Sequence, residues 1–397
     1  MELINRYKKT EMGVIPKDWY VKEFVEVMDG FTSGQTPYRG TSRFFKGTIP
    51  WITSGELNYN IITETKERIT EEGMKEANLK MIPKGTFLFA ITGLEAEGTR
   101  GSCAITGIEA TTNQSCMALY PKKDILIAPY LYHYYVRYGN ELALRYCQGT
   151  KQQSYTGGIA KKLPIIVPPT LEEQTAIATA LSDTDAFIAS FEELIAKKRN
   201  IKQGAMKELL KPKEGRQAKK LGDIVDVLDN LRKPLNERER QNIKGNIPYC
   251  GANGIVDYIN DYIIDDEIIL MAEDGGYFDE YKTRPIAYRM TGKCWVNNHA
   301  HILKAKNGFS QDFIFFSLAH KNILDYINGG TRAKLNKGEL LNIEISMPVQ
   351  EIEQKEIAEI LLNIDAEINA LELKLQKYRQ IKTGMMQTLL TGQIRLL

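Results

Sequence analysis

One stretch of this chain occurs twice, and the repeat limits what the rest can fold into. It runs from Pro168 to Leu210 as PPTLEEQTAIATALSDTDAFIASFEELIAKKRNIKQGAMKELL and returns from Pro348 to Leu390 as PVQEIEQKEIAEILLNIDAEINALELKLQKYRQIKTGMMQTLL. The copies align without a gap at an offset of 180 positions. Gln174 matches Gln354, Ile177 matches Ile357, Leu181 matches Leu361, Asp185 matches Asp365, and Arg199 matches Arg379. A register held this long is an internal duplication.

Both copies read as long helices. In the second, Ile357, Leu361, Ile364, Ile368, Leu371, Leu375, Tyr378 and Leu389 follow alternating steps of four and three until Lys382 interrupts them. That is a heptad seam. In the first, Ile177, Leu181, Ile188, Phe191, Ile195 and Leu209 form a weaker seam, broken by Thr184, Lys198 and Lys202. Pro168, Pro169 and Pro348 precede the first turns, and Glu172, Glu173, Glu351 and Glu353 sit at the positive end of each helix dipole. Two such stripes are most simply buried against each other as a coiled-coil pair. The alternative, each helix packing only on its own domain, fits a two-per-seven stripe of this length less well.

The remaining sequence repeats as well, with drift. AKKLGDIVDVL from Ala218 answers YVKEFVEVM, and GNIPYCGANGI from Gly245 answers GTIPWITSGEL. EIILMAEDGG answers TFLFAITG, and WVNNHAHILKA answers TTNQSCMALYP. DFIFFSLAHKNILDYI from Asp312 answers the Tyr-rich helix expected over Ala128 to Tyr146, whose run 130–138 reads as helix core. The fold class expected is α/β (α+β), with strands, Gly-rich loops and helices mixed in each half. The expected order is a first domain (1–168), a helix (169–212), a second domain (213–348), a helix (349–392) and a tail (393–397). Antiparallel helices start at opposite ends, so each domain is expected at its own end of the pair. The seam from 357 to 389 rises roughly 48 Å at about 1.5 Å per residue. On DNA that is on the order of 14 base pairs.

At 397 residues the chain has room for two or three domains. Its 52 basic and 50 acidic residues give no overall charge that favours a nucleic acid, so such a role needs local clusters. Cys103, Cys116, Cys147, Cys250 and Cys294 show no CxxC spacing and read as free thiols of a reducing, cytoplasmic setting. The opening MELINRYKKTEMGVIP lacks the apolar core of a secretory signal, and no run is long enough for a membrane span.

The doubled, ordered set of motifs resembles the specificity subunits of Type I restriction–modification systems along essentially the whole chain. MGVIPKDW, SGQTP and IPWITSGEL are similar to the start of that family's first target-recognition domain. NNHAHIL, GGTRAKLNKGEL and PVQEIEQKEIAEIL resemble its second half, and the EEQ…IA…L…D pattern resembles its two helical regions. The halves differ where GTKQQSYTGGI stands against GGTRAKLNKGEL and where Phe24 stands against Leu221-Gly222. The resemblance implies that each domain reads one half of a bipartite, asymmetric target in double-stranded DNA. It implies that the helices set the unread spacer and dock two modification (methyltransferase) subunits. Those subunits would use S-adenosylmethionine to methylate adenine N6, and restriction subunits would add ATP- and magnesium-dependent cleavage. This chain would bind no cofactor and carry no chemistry.

The residues agree with that expectation. There is no GxxxxGK[ST] loop and no NPPY-like methylase motif, since VPPT at Val167 to Thr170 lacks the Asn/Asp and the aromatic. His299 and His301 form an HAH pair that would share a face on a strand, but no third ligand is near in sequence, so a metal is not expected. Glu95, Glu97, Glu273 and Asp274 follow buried strands and read as loop polar residues rather than nuclease carboxylates.

DNA contacts are expected in loops at one edge of each domain. In the first the candidates are Ser33, Gln35, Thr36, Arg39, Arg43, Thr92, Arg100, Lys151, Gln152 and Gln153. In the second they are Arg232, Lys233, Asn253, Tyr277, Arg284, Arg332 and Lys334. Arg and Lys suit guanine, and Gln and Asn suit adenine. Two other readings compete: a fragment of a fused Type IIG-like restriction methylase, and a coiled-coil assembly protein with no DNA role.

Overall fold

The computed structural model describes residues 6–96, 98–149, 151–328 and 333–396. The chain divides into two compact units, Met1–Phe191 with Lys374–Leu397, and Glu192–Leu373. The division cuts through each long helix, and the reason lies in how the seams are buried.

In the first unit a five-stranded sheet runs, in spatial order, Met28–Ser33, Cys116–Pro121, Phe87–Ala90, Cys103–Thr106, Asn60–Ile62. The first four strands are antiparallel neighbours, and the last is parallel to Cys103–Thr106. FLFA is buried at every position, which removes the alternation of a half-exposed strand. Helix α1 (Ala128–Tyr146) covers the sheet with Tyr130, Leu131, Tyr134, Tyr135 and Tyr138 in the core. Its phenols find acceptors: Tyr130 donates to Ile166 O at 3.0 Å and Tyr134 to Pro164 O at 2.8 Å. The polar run 58–80 hides two short strands, Asn60–Ile62 and Glu67–Ile69, and a helix, Glu71–Glu76. Each buries too few residues to mark its period.

Helix α2 (Leu171–Leu210) follows. Its Gln174 is buried, accepts from Ile127 N at 3.1 Å and donates to Ile125 O at 2.8 Å. The side chain thereby locks the helix start to the turn that opens α1.

The second unit repeats this frame. Its six-stranded sheet runs Val225–Val227, Ala300–Ala305, Ile264–Ala272, Ala287–Val296, Lys244–Gly251, Gly254–Ile259. Helix α3 (Gln311–Ala319) takes the place of α1, and Gln354 of α4 (Glu351–Leu389) accepts from Ser310 N at 2.9 Å. The two glutamines therefore align Ile127 with Ser310, His133 with Phe316, Tyr134 with Ser317 and Tyr138 with Lys321. The helix expected from Asp312 through Ile327 stops at Ala319. Loop residues take over its last acceptors and its ring: Ile286 N donates to Ala319 O, and His320 Nδ1 lies 2.7 Å from Tyr281 O.

Within each unit, α2 and α4 pair antiparallel. In the first, Thr184 meets Met385, Asp185 meets Lys382 at 2.5 Å, and Phe187 and Phe191 stack on Tyr378. In the second, Lys198 meets Glu367 at 2.5 Å and Lys202 meets Asp365 at 2.6 Å. Lys202 and Lys382, the breaks in the seams, thus make the same ion pair twice. Ile177, Leu181, Ile195, Ile357, Leu361, Ile368 and Leu389 are buried. Ile188, Phe191, Leu209, Ile364, Leu371, Leu375 and Tyr378 are half-buried.

Pairing and domain packing prove to be one arrangement rather than alternatives. Ile177 and Leu181 join the first core with Met386, Leu389 and Leu390 of the other helix. Ile357 and Leu361 join the second core, against which Met206, Leu209 and Leu210 pack. The tail continues this: Arg395 binds the buried Glu173 and reaches Asp18 at 3.1 Å. In the second unit Arg216 approaches Glu353, the counterpart of Glu173, at 3.8 Å. All five cysteines are free. Among the described residues no helix is long and apolar enough to cross a membrane.

One buried group makes the first unit sensitive to pH. His133 of α1 is 1% exposed, with Nε2 2.8 Å from Ser182 Oγ. Burial, and then the nearby Lys382, push its pKa from 6.5 down to about 4. Below 6.5 the unfolded chain takes up a proton that the folded histidine refuses, so stability falls as pH drops toward 4. The full effect is roughly 3 kcal/mol at about 1.36 kcal/mol per pH unit. Replacing His133 with Phe, the residue at the matching position of the second unit, is expected to flatten this slope. Urea unfolding of both proteins at a series of pH values measures it.

Candidate nucleic-acid interface

Antiparallel pairing brings alternate strand ends to one edge of each sheet. In the first unit Met28–Ser33 and Phe87–Ala90 end where Cys116–Pro121 and Cys103–Thr106 begin. The loops leaving that edge are laced together. Asn113 N donates to Ile52 O, Ile91 N to Ser115 O at 2.9 Å, and Leu94 N to Gln153 O at 3.0 Å. Tyr155 N donates to Ile91 O at 2.8 Å.

The second unit builds the same edge with three matching bonds. Asn297 N donates to Cys250 O, Glu273 N to His299 O at 2.8 Å, and Leu335 N to Glu273 O at 2.8 Å. The bridge between Thr92 and Ser154 is answered by one between Asp274 and Lys334. Glu273, His301 and Lys334 therefore stand where the first unit has Ile91, Met117 and Ser154. The frame is common and the side chains on it are not.

Among the candidates in the first unit, the edge gathers Ser33, Gln35, Thr36, Thr92, Arg100, Lys151, Gln152 and Gln153. Gln35 lends its carbonyl to Trp51 Nε1 at 3.1 Å, and Thr36 donates to Gln114 at 2.6 Å. Arg100 braces its own loop through Leu94 O and Glu95 O, and Gln153 N donates to Glu95 at 2.9 Å. Lys151 and Gln152 are exposed. Arg39 and Arg43 each pair with a glutamate of the same unit. Arg39 binds Glu67 with two bonds and lies over the Phe45 and Trp51 rings, and Arg43 pairs with Glu72 at 3.1 Å.

In the second unit Arg232 lies at the centre, paired with Glu273 and with Asp229 at 3.4 Å, while Lys334 reaches Glu273 at 2.9 Å. Asn253 donates to Gly275 O at 2.9 Å, and Lys233 lies over Trp295 at 5.4 Å. Arg284 stacks on Tyr277 at 4.2 Å and pairs with Glu280. Arg332 and Glu97 lie outside the described residues. An open cavity of about 710 Å³ occupies this edge, with Arg240, Asn297, Asn298 and His299 in its lining. These four are not among the DNA contacts expected from the sequence. The NNHAH run carried the family likeness, but nothing local marks Arg240, which is placed by Asp257 on the neighbouring strand at 3.1 Å.

The two histidines of HAH part company. The strand begins at Ala300, so His299 lies in the preceding turn and bonds Asp274 at 2.5 Å instead of sharing a face with His301. His301 is buried and bonds Asp229 at 2.6 Å. Asp229, Glu273 and His301 offer ligand atoms within 4.8 Å of one another, from sequence positions too far apart to be seen as a motif. Arg232 and Lys334 already balance the two carboxylates, so the cluster reads as an ion-pair network. Burial works to raise the Asp229 carboxyl, and the bond to His301, its charge, the Ile302 amide and Arg232 overcome it. Burial likewise opposes Arg232 and Lys334 at Glu273, and the cations again hold the carboxyl below its usual range.

The profile of the family described as Type I restriction modification DNA specificity domain matches residues 16–200 and again 213–382. The chain belongs to this family. The Type I restriction enzyme MjaIX specificity subunit of Methanocaldococcus jannaschii is 28% identical, over 98% of this chain and 96% of its own. A putative type I restriction enzyme specificity subunit of Haemophilus influenzae is 37% identical over 36% of each chain. The S subunit of a Type I restriction–modification system from M. genitalium shares the fold, with a TM-score of 0.66 at 17% identity over 94% of this chain and 96% of that one. A chain from a structural study of type I complex assembly and conformational transition gives 0.56 at 15% identity, over 96% and 99%. A specificity subunit is the non-catalytic member of its complex, whose activities reside on other subunits.

Replacing Glu273 with Ala leaves Arg232 with Asp229 alone and removes the Lys334 ion pair. The expected destabilisation is about 2 kcal/mol, as for a charged group left without its partner, seen as a lower urea midpoint for the second unit at unchanged slope. Replacing the equivalent Ile91 with Ala is expected to act on the first unit instead.

Proposed function

We propose that this chain chooses the DNA sequence on which a Type I restriction–modification complex acts, with one domain for each half of a bipartite, asymmetric target. The observation that carries the reading is the common loop-edge frame bearing Ile91, Met117 and Ser154 in one unit and Glu273, His301 and Lys334 in the other. Similar scaffolds with unlike edges suit two unlike half-sites. The domains span 1–168 and 213–348 in this reading, with the intervening helices at 169–212 and 349–392. The helices set the unread spacer and dock two modification subunits. Those subunits bind S-adenosylmethionine and methylate adenine, and restriction subunits supply the ATP- and magnesium-dependent step. The base-reading side chains lie among the edge residues, with Arg232, Asn253, Lys334, Lys151, Gln152 and Gln153 the leading choices.

The direct test is methylation by the purified chain with and without its modification subunit, followed by sequencing of the modified sites. Modification by the pair at one split sequence is expected. Methylation by the chain alone would overturn the reading in favour of a fused methylase.

Two further outcomes are expected. Residues 1–212 contain Lys202, Met206 and Leu209, the counterparts of Lys382, Met386 and Leu389 that complete the first unit. Two copies of that half-chain are expected to complete each other and, with the modification subunit, to select a palindrome. An unchanged asymmetric target counts against two readers. Inserting one heptad into both helices is expected to lengthen the spacer and keep both half-sites, which sequencing of methylated sites reads directly.

A further inference from the structure

A second concavity lies in the second unit, away from the loop edge. It is a groove of about 1040 Å³ between the C-terminal half of α2 and the end of α3. Its lining holds Arg199, Lys202, Lys207, Lys211, Lys282 and Lys321, and no carboxylate. Arg199, Lys202 and Lys211 have acidic partners outside it, in Glu372, Asp365 and Glu208. Among the described residues, Lys207, Lys282 and Lys321 make no ion pair. Burial lowers the pKa of Lys321, an ammonium that Glu344 offsets only at a distance.

The groove opens where the two units differ. The Tyr134 and Tyr138 rings lie 4.8 Å apart in the first unit. Counted from the helix start, Ser317 and Lys321 take those places, Lys321 just beyond the end of α3, and the Ser317 Oγ is buried without a partner. In the second unit the chain stops its helix two residues before Lys321. Here it gives up that packing and presents cations and a hydroxyl.

We propose that this groove binds backbone phosphates of the DNA beside the second half-site, a contact that adds affinity without reading bases. The inference rests on the DNA-recognition reading above. Its geometric support is a single loop. Gly275 and Gly276 line the cavity at the recognition edge, and Lys282 and Thr283 line the groove. Six residues of chain reach at most about 20 Å, which is roughly six phosphates along one strand. Lys282 therefore lies within about 20 Å of the glycines at the recognition edge, a span that a duplex seated there can cover with its backbone. Lysines without fixed partners suit that role, because phosphate contacts position the duplex and carry no sequence information. An acidic segment of a modification subunit is the competing occupant, and the test separates the two.

The experiment uses the full chain assembled with its modification subunit. Lys207→Gln, Lys282→Gln and Lys321→Gln are combined in one variant, and Lys→Arg changes at the same positions in another. DNA affinity is measured from low to moderate salt. For the Gln variant the slope of log K against log salt is expected to become shallower by about 0.9 for each phosphate no longer neutralised, or about 2.7 for three. The Arg variant is expected to retain the slope, and the methylated sequence to stay the same in both. An unchanged slope in an intact Gln complex overturns the proposal. So does loss of assembly with the modification subunit, rescued by Arg, because that outcome assigns the groove to a protein partner. Failure of the unaltered complex to bind any sequence selectively would instead remove the recognition reading itself.

Discussion

Asp185 meets Lys382, and Lys202 meets Asp365, because one pair of residues was duplicated with the helix that carries it. Each pair is partly exposed, so its energy is modest, about 0–1 kcal/mol. Its effect on direction is larger. Were the two helices parallel and in register, Asp185 would face Asp365 and Lys202 would face Lys382. Only the antiparallel arrangement turns two like-charge meetings into two opposite ones. Polar breaks in an apolar seam commonly fix orientation at some cost in stability. The completion of each domain core by the far helix depends on that orientation.

The second constraint is the glutamine near each helix start. Gln174 and Gln354 are buried amides whose carbonyls accept from the turn before α1 or α3. A buried amide without partners is costly, so these positions hold the helices to their domains in one orientation. Beyond that joint the domains diverge. The backbone bonds of the loop edge recur in both units, while the side chains at matching places change from Ile91, Met117 and Ser154 to Glu273, His301 and Lys334. A fixed frame with variable edges lets recognition change without rebuilding the core.

Much of the architecture was legible from the duplication alone, because a strict heptad stripe has few stable solutions. The α1 span and the buried strands stood out through aromatic and apolar density. The end of α3 did not, since its stop is made by Ile286 and His320 with the loop ending near Tyr281, and no glycine or proline marks it. The loop edge was legible as a place and poorly as a set of residues. Arg39 and Arg43 look like the other loop arginines in sequence, which does not record their pairing with Glu67 and Glu72. Arg232, Glu273, His301 and Asp229 meet only because three strands end together, which no local pattern records.

The composition of the first unit has a consequence for synthesis. The second unit is one continuous segment, whereas the first core includes Met386, Leu389 and Leu390 from the end of the chain. A ribosome adding about 5–20 residues per second needs roughly 10–40 s to travel from the end of one piece to the start of the other. During that interval Ile177 and Leu181 lack the residues that later cover them. The unit whose larger piece is made before the other unit is therefore finished after it, when Met386, Leu389 and Leu390 close over Ile177 and Leu181.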